Sequence, residues 1–346
     1  MRNFANILKG ELIKSFKGKR LLITIVFVIG IVIFMALIFG VTVKEYVKLY
    51  PIDENIAEIS PSDVITGAEL EIQDNAEAYE RGDITKYERD IRNYQHKSTI
   101  AIAKYMVKHD LSYGDFAHFN SDDMLRTLSL QNLVFFILQG SGLIIGIIAS
   151  ILAAGAISDE IHDGTMRLLL ICPVSRSKLI TAKLITIVIQ LLIVLLTAVA
   201  AGLILGLIMY PIEWTRVMLV INAAKAALVS FPVTILIYLM SLLLFGSMLA
   251  LFIMTFVFVF RSKAFGIVIG VILSTNVLAT ALLLRPELID FFSYTVLTNM
   301  NLSGYFTLYG NPTGQIALPM AIIVYIINIV VLLIISGLIF KQRDIN

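Results

Sequence analysis

The sequence predicts an all-α membrane protein with six transmembrane helices, an N-terminal interfacial helix and a helical extracellular domain between spans one and two. Three observations carry this. The 346 residues are 58% hydrophobic with mean hydropathy +0.88, more than the core of a soluble domain this size needs. The apolar residues gather in long charge-free runs, of which Leu21 to Val43 is the first. One stretch, 44–129, departs from the pattern with 17 acids, 10 bases and three of the four histidines.

Residues 1–20 form a basic amphipathic start. Phe4, Ile7, Leu8, Leu12 and Phe16 can share one helix face, with Lys9, Lys14 and Lys17 largely away from it. Such a helix lies in the interface plane. Residues 21–43 are long enough to cross, too long for a signal peptide, and have no small-residue cleavage site before Lys44.

Within 44–129, Ile84, Tyr87, Ile91, Tyr94, Ser98, Ala101 and Tyr105 recur at three-four spacing and predict a long helix with one packing seam. Leu70, Ile72, Ala76 and Tyr79 predict a shorter partner before the Gly82-Asp83 turn. Ser121 is read as the cap of a helix entering the second span. His96, His109 and His118 lack metal-ligand spacing, so no metal site is expected.

Residues 130–346 hold spans two to six. The second lies within Leu130 to Ser158, the third in about Leu184 to Met209, and a short turn with Pro211, Glu213, Trp214 and Arg216 comes next. A run from Ala226 to Phe260 exceeds one crossing, so it is tilted or broken near Pro232. Ala264 to Leu284 is the fifth span, and about Ala317 to Phe340 the sixth. The region 285–316 between them, rich in Tyr, Phe, Asn, Gly and Pro, is expected to form re-entrant or interfacial helices on the outer side. Small residues four apart, Gly142, Gly146 and Ser150 in one span and Gly266 and Gly270 in another, make ridges that let helices approach closely. Arg and Lys near the span ends favour both termini in the cytosol and 44–129 outside.

The connection 159–183 is the most patterned part of the chain. Asp159, Glu160 and Asp163 precede a turn at Asp163-Gly164. Thr165 can cap a short apolar helix, Met166 to Ile171, that Pro173 stops. Arg167, Arg176, Lys178 and Lys183 supply the bases. A helix this short does not hold itself together in water, so it must pack on the lipid surface or on another protein. The order D-E-x-x-D-G-T-x-R-L-L-L-x-x-P-V-S-R-S-K, with Lys183 opening the next span, resembles the first cytoplasmic loop of ABC-2 type exporter permeases. Glu160, Gly164, Thr165, Leu169, Pro173, Ser175, Arg176 and Lys183 carry the match. Asp163 stands where the family usually has Glu.

The resemblance implies that this loop is a coupling helix seated on a separate ATP-hydrolysing subunit. Glu160, Asp163, Gly164, Thr165, Met166, Arg167, Leu169, Leu170, Pro173 and Arg176 would make up that contact. It also implies an elbow role for residues 1–20, a second permease, identical or a sibling, that meets this one along the small-residue ridges, and a multi-pass place in the plasma membrane. ATP and Mg would be bound by the partner, with no cofactor in this chain.

No G-x-x-x-x-G-K-[ST], H-E-x-x-H or G-x-S-x-G occurs. Ser175-Arg-Ser-Lys178 matches S-x-x-K without the S-D-N and K-T-G that accompany it in acyl enzymes. No enzymatic chemistry is expected. No charged residue or histidine falls within the six runs, which weighs against a carrier driven by protons or sodium. The scattered bases do not form a nucleic-acid face. The expected function is the membrane-spanning permease subunit of an ATP-driven exporter. The alternative is a non-transporting sensor or scaffold whose outer domain binds a ligand or envelope partner.

Overall fold

The computed structural model describes residues 4–49, 60–112, 116–118, 127–162, 176–212, 216–275, 277, 288, 291–292, 294–300, 302–306 and 316–342. Helix α1 spans Phe4–Lys17, and Gly18 alone separates it from α2, Lys19–Leu49. At 1.5 Å per residue these 31 residues extend about 46 Å, so α2 overruns a hydrocarbon core of about 30 Å. The bundle continues with α5 (Leu130–His162), α6 (Arg176–Met209), α7 (Phe231–Phe260), α8 (Lys263–Ser274) and α10 (Leu318–Gln342). Between α2 and α5 lie α3 (Pro61–Glu80) and α4 (Lys86–His109). Between α8 and α10 lie the one-turn α9 (Val296–Asn299) and a 3₁₀ turn, Leu302–Phe306.

Among the described residues five helices, α2, α5, α6, α7 and α10, are long and apolar enough to cross a membrane. The expected fifth span, Ala264 to Leu284, is helical through Ser274. The rest of that span beyond Thr275, apart from Val277, lies outside the described residues, as does about half of 285–316.

Helix α7 is the hub, packing on α5, α6, α8 and α10. Its inward positions, among them Phe245, Met248, Leu249, Ile253 and Met254, are buried. Hydroxyls pin α7 to α10: Thr255 meets Ser336 at 2.6 Å, and the Tyr325 hydroxyl donates to the Leu244 carbonyl. Arg261, left-handed at φ 52°, ends α7, and Ser262 caps α8 by accepting from the Phe265 amide at 3.3 Å.

The small-residue ridges are used inside the chain. A Cβ at Gly270 would stand 2.1 Å from Ser150 Oγ, and one at Gly146 would stand 2.2 Å from Ser274 Cβ. One at Gly266 would meet Val257 at 2.4 Å, whereas Gly142 has only Leu242 at 3.9 Å. These residues thus set the closeness of α5, α8 and α7. Gly146, Ser150, Gly266 and Gly270 are covered by the chain's own helices, whereas Gly142 is half-buried.

The region beyond the membrane end is not purely helical. β1 (Phe116–His118) pairs in parallel with β2 (Arg216–Ile221), which pairs antiparallel with β3 (Lys225–Val229). Asn222 and Ala223 turn the hairpin at φ 55° and 53°, the left-handed geometry that tight hairpins require. The segment read as the start of the fourth apolar run is therefore a strand. Pro232 sits in the first turn of α7, where its missing N–H costs nothing. Asn222 Oδ1 accepts from the Leu318 amide at 3.1 Å, so the hairpin also receives the start of α10.

Ser60 and Pro61 start α3, and a capping box of Thr85 and Glu88 starts α4. Ser98 of the expected seam is fully buried, but Ile84, Tyr87, Ile91, Tyr94, Ala101 and Tyr105 are half-buried. The deep positions are Ile102, Ala103 and Met106, because the second half of α4 packs on β2 and β3. The face of α3 is also corrected. Leu70 and Tyr79 are exposed, while Ala68 and Asn75 are buried, the latter donating to Asn93 Oδ1 at 3.2 Å. Tyr79 instead lies under the Arg89 guanidinium, 4.4 Å from its ring centre.

Candidate functional site

A partly buried charge network joins α1, α2, α5, α6 and α8 at the end of the bundle where α1 packs along α6. α1 turns Phe4, Ile7, Leu8, Glu11, Leu12 and Ser15 inward along α6, so its packing stripe includes two polar residues. Glu11 and Ser15 are one turn apart, and two turns separate Lys183 from Gln190 on α6. Lys183 Nζ donates to both Glu11 oxygens at 3.1 and 3.2 Å, and Gln190 donates to Ser15 Oγ.

Glu160, in the last turn of α5, closes the network. Its Oε1 accepts from Lys183 at 2.5 Å and from Lys14 at 2.7 Å. Glu160 and Lys183 are each only 2% exposed. Glu160, in the last turn of α5, is opposed by its own helix dipole, and Lys183, two turns into α6, lies beyond the reach of one. Their stabilisation therefore comes from each other and from Lys14 and Glu11. Removing either member leaves the other buried with only part of its compensation, Lys183 on Glu11 or Glu160 on Lys14.

Asp159 makes a second node, accepting from Lys263 at 2.9 Å and paired with Arg20. Gly155 leaves room for it, since a Cβ there would stand 3.3 Å from the Arg20 guanidinium. Five helix ends are joined: α1 by Glu11, Lys14 and Ser15, α2 by Arg20, α5 by Asp159 and Glu160, α6 by Lys183, and α8 by Lys263.

Beside the network is a cavity of about 580 Å³ between α1, α2, α5 and α6. One wall is apolar, with Ile23, Phe27, Ile147, Ile151, Leu152 and Ile187; the other holds the charges.

Residues 5–345 match the family model described as ABC-2 family transporter protein. The chain belongs to the ABC-2 transporter family. It is thus a permease component of an ABC transporter and a membrane protein. Subunits of this family are generally non-catalytic and dimeric, and work with an ABC ATPase that is a separate subunit. No curated protein matches the sequence.

Of the permease's expected coupling residues, Glu160 lies in the network just described, and Arg176 is the first residue of α6. Asp163, Gly164, Thr165, Met166, Arg167, Leu169, Leu170 and Pro173 lie outside the described residues. The partners of Glu160 are only partly legible in the sequence. Lys183 stands out by its place in the motif, whereas Glu11, Lys14, Arg20, Asp159, Gln190 and Lys263 do not stand out as a cluster. The available signal is the polar i, i+3, i+4 group Glu11-Lys14-Ser15 interrupting an amphipathic helix.

Proposed function

We propose that this permease forms the translocation path of an ATP-driven exporter and takes the ATPase stroke through the loop 159–183. The observation that carries it is the buried Glu160–Lys183 pair. It joins the two strands of chain that enter and leave the loop, and it also holds α1. A push on the loop would reach α5, α6 and the elbow helix α1 as one body rather than bending the loop alone.

Met166, Leu169 and Leu170 would seat in the ATPase, where burial at roughly 25 cal/mol per Å² is worth a few kcal/mol. ATP and Mg would be held by that partner. A second permease, identical or a sibling, would complete the path. We further propose six crossings, with Ala264 to Leu284 as the fifth, both termini in the cytosol of a plasma-membrane protein, and the α3–α4 and sheet region outside.

The test is pull-down of the ATPase and substrate-stimulated hydrolysis in reconstituted vesicles. Leu169→Asp should abolish co-purification, because a charge enters an apolar groove. Retained assembly and stimulation in that variant would remove the loop from the coupling path.

A further inference from the structure

The cavity beside the charge network has the layout of a site for an amphiphile. Its volume, about 580 Å³, lies within the range of roughly 300–1,000 Å³ typical of small-molecule sites. It is also open sideways. α2 and α8 each pack on α5, and the strip of α5 carrying Ile147 and Ile151 faces the space beside α2. Ile23, Phe27 and Ile151 are 62%, 58% and 48% exposed. In a bilayer such a face meets acyl chains.

The polar wall has an excess of cations. Lys14, Arg20, Lys183 and Lys263 face Glu11, Asp159 and Glu160, four bases against three acids. Lys14, Arg20 and Lys263 keep 60%, 66% and 42% of their side-chain surface exposed. An ammonium has three donors and a guanidinium five, so pairing with Glu160 or Asp159 leaves N–H groups for another acceptor. Basic pockets between helices at the headgroup level bind anionic headgroups.

We propose that this cavity admits an amphiphile with an anionic headgroup from the leaflet on the α1 side. The headgroup is held by Lys14, Arg20 and Lys263, and the tail lies along Ile23, Phe27 and Ile151. Naming this occupant as the cargo rests on the exporter reading; its binding does not. A zwitterionic lipid brings its own cation to the same bases and is disfavoured. Inorganic phosphate lacks the tail and loses the apolar contribution.

Native mass spectrometry of the purified full chain tests this without any ATPase. Phosphatidylglycerol and phosphatidylcholine of identical acyl chains are titrated in turn, and phosphate is added as a competitor. Phosphatidylglycerol should bind about tenfold more tightly. Arg20→Gln, which leaves Asp159 its Lys263 partner, should remove most of that preference. Ile151→Trp, at a half-exposed position, should weaken both lipids by filling the tail region while lipid-free thermal stability is kept. Equal binding of the two lipids, binding unaffected by both variants, or competition by millimolar phosphate would each overturn the proposal. So would efficient disulfide formation between two copies of Ile151→Cys in a Cys172→Ser background, at a yield independent of added lipid. That result would make the space an interface between permeases. Loss of ATPase coupling with lipid selectivity intact would instead count against the exporter reading alone.

Discussion

Lys183 Nζ and Glu160 Oε1 are 2.5 Å apart, both buried, 23 residues apart in sequence and on opposite sides of the permease's most patterned loop. The pair does not stand alone, since Lys14 and Glu11 each hold one of its members. That arrangement makes an unusual prediction about charge reversal.

Glu160→Gln and Lys183→Gln should each destabilise the chain, but by less than the cost of an uncompensated buried charge, about 3–5 kcal/mol, because Glu11 still holds Lys183 and Lys14 still holds Glu160. The exchange Glu160→Lys with Lys183→Glu would rescue an isolated pair. Here it should not, because the new lysine meets Lys14 and the new glutamate meets Glu11. The double change Glu160→Leu with Lys183→Met should recover more stability than the exchange. Thermal unfolding in detergent checks this, and full recovery by the exchange would show that Lys14 and Glu11 contribute nothing.

The helix ridge should respond according to the space at each glycine. Gly270→Ala places a methyl 2.1 Å from Ser150 Oγ and 2.6 Å from Ile253 Cδ1, and should cost about 1–3 kcal/mol by overpacking. Gly142→Ala, with its nearest neighbour at 3.9 Å, should be close to neutral. Adding Ser150→Ala should relieve part of the Gly270→Ala defect. Equal effects of the two glycine variants would mean that α5 and α8 do not pack this closely.

In the region beyond the membrane end, Met106→Asp should be more damaging than Ile91→Asp. Met106 is 1% exposed between α4 and the hairpin, whereas Ile91 is half-buried. A charge without a partner in the first site costs several kcal/mol, on the order expected for buried ions. Limited proteolysis should release the α3–α4 segment in Met106→Asp while the membrane helices stay intact. Identical digestion of the two variants would place the core of this region elsewhere.

The start of α4 should weaken in acid. The Thr85 backbone N–H donates to Glu88 Oε2 at 2.8 Å, the Thr85 hydroxyl adds a second bond, and together they hold the Glu88 carboxyl below its ordinary value. A depressed carboxylate stabilises the fold above its unfolded pKa, about 4.3, and loses that contribution as pH falls through the lower folded value. The protection of amides 86–90 against exchange, relative to their intrinsic rates at each pH, should therefore fall as the pH drops below about 4.3. Glu88→Gln, which keeps a capping partner without a charge, should remove the pH dependence.

The split between legible and hidden features reflects which interactions are local. Leu21 to Val43 has no charge, and a run of that length has few alternatives to a membrane helix. The strand Lys225–Val229 is hidden because a short apolar segment beside a longer one has no period of its own, and its partners lie at 116–118 and 216–221. The misplaced faces of α3 and α4 have the same origin, since Met106 packs on a hairpin more than a hundred residues later. At the site, the acid-Gly-Thr order singles out Glu160 and Lys183. Arg20 and Lys263 look like orientation signals at span ends, and only the bundle brings both to Asp159.

Topology gives the last prediction. Ser15, Ser262 and Asn346 are assigned to the cytosol, and Ser98 and Asn311 to the outside. The chain is taken with Cys172→Ser, and single cysteines are placed at these positions in turn. Those at Ser15, Ser262 and Asn346 should react with an impermeant maleimide only after permeabilisation. Ser15 is hydrogen-bonded to Gln190 of α6, so its labelling should also be slower than that of Ser262. Ser98 is fully buried in the α4 core, so Lys97, its exposed neighbour, is the better outer probe and should label in intact cells together with Asn311. The decisive comparison is Ser262 with Asn311. Five crossing helices are long enough by themselves, and a sixth crossing is required only if these two positions, on either side of 264–284, face opposite solutions. Labelling of both from the same side would leave α8 as a helix that enters the membrane without crossing it. In that arrangement Lys263 could still reach Asp159, but the chain after α8 would return to the cytosol.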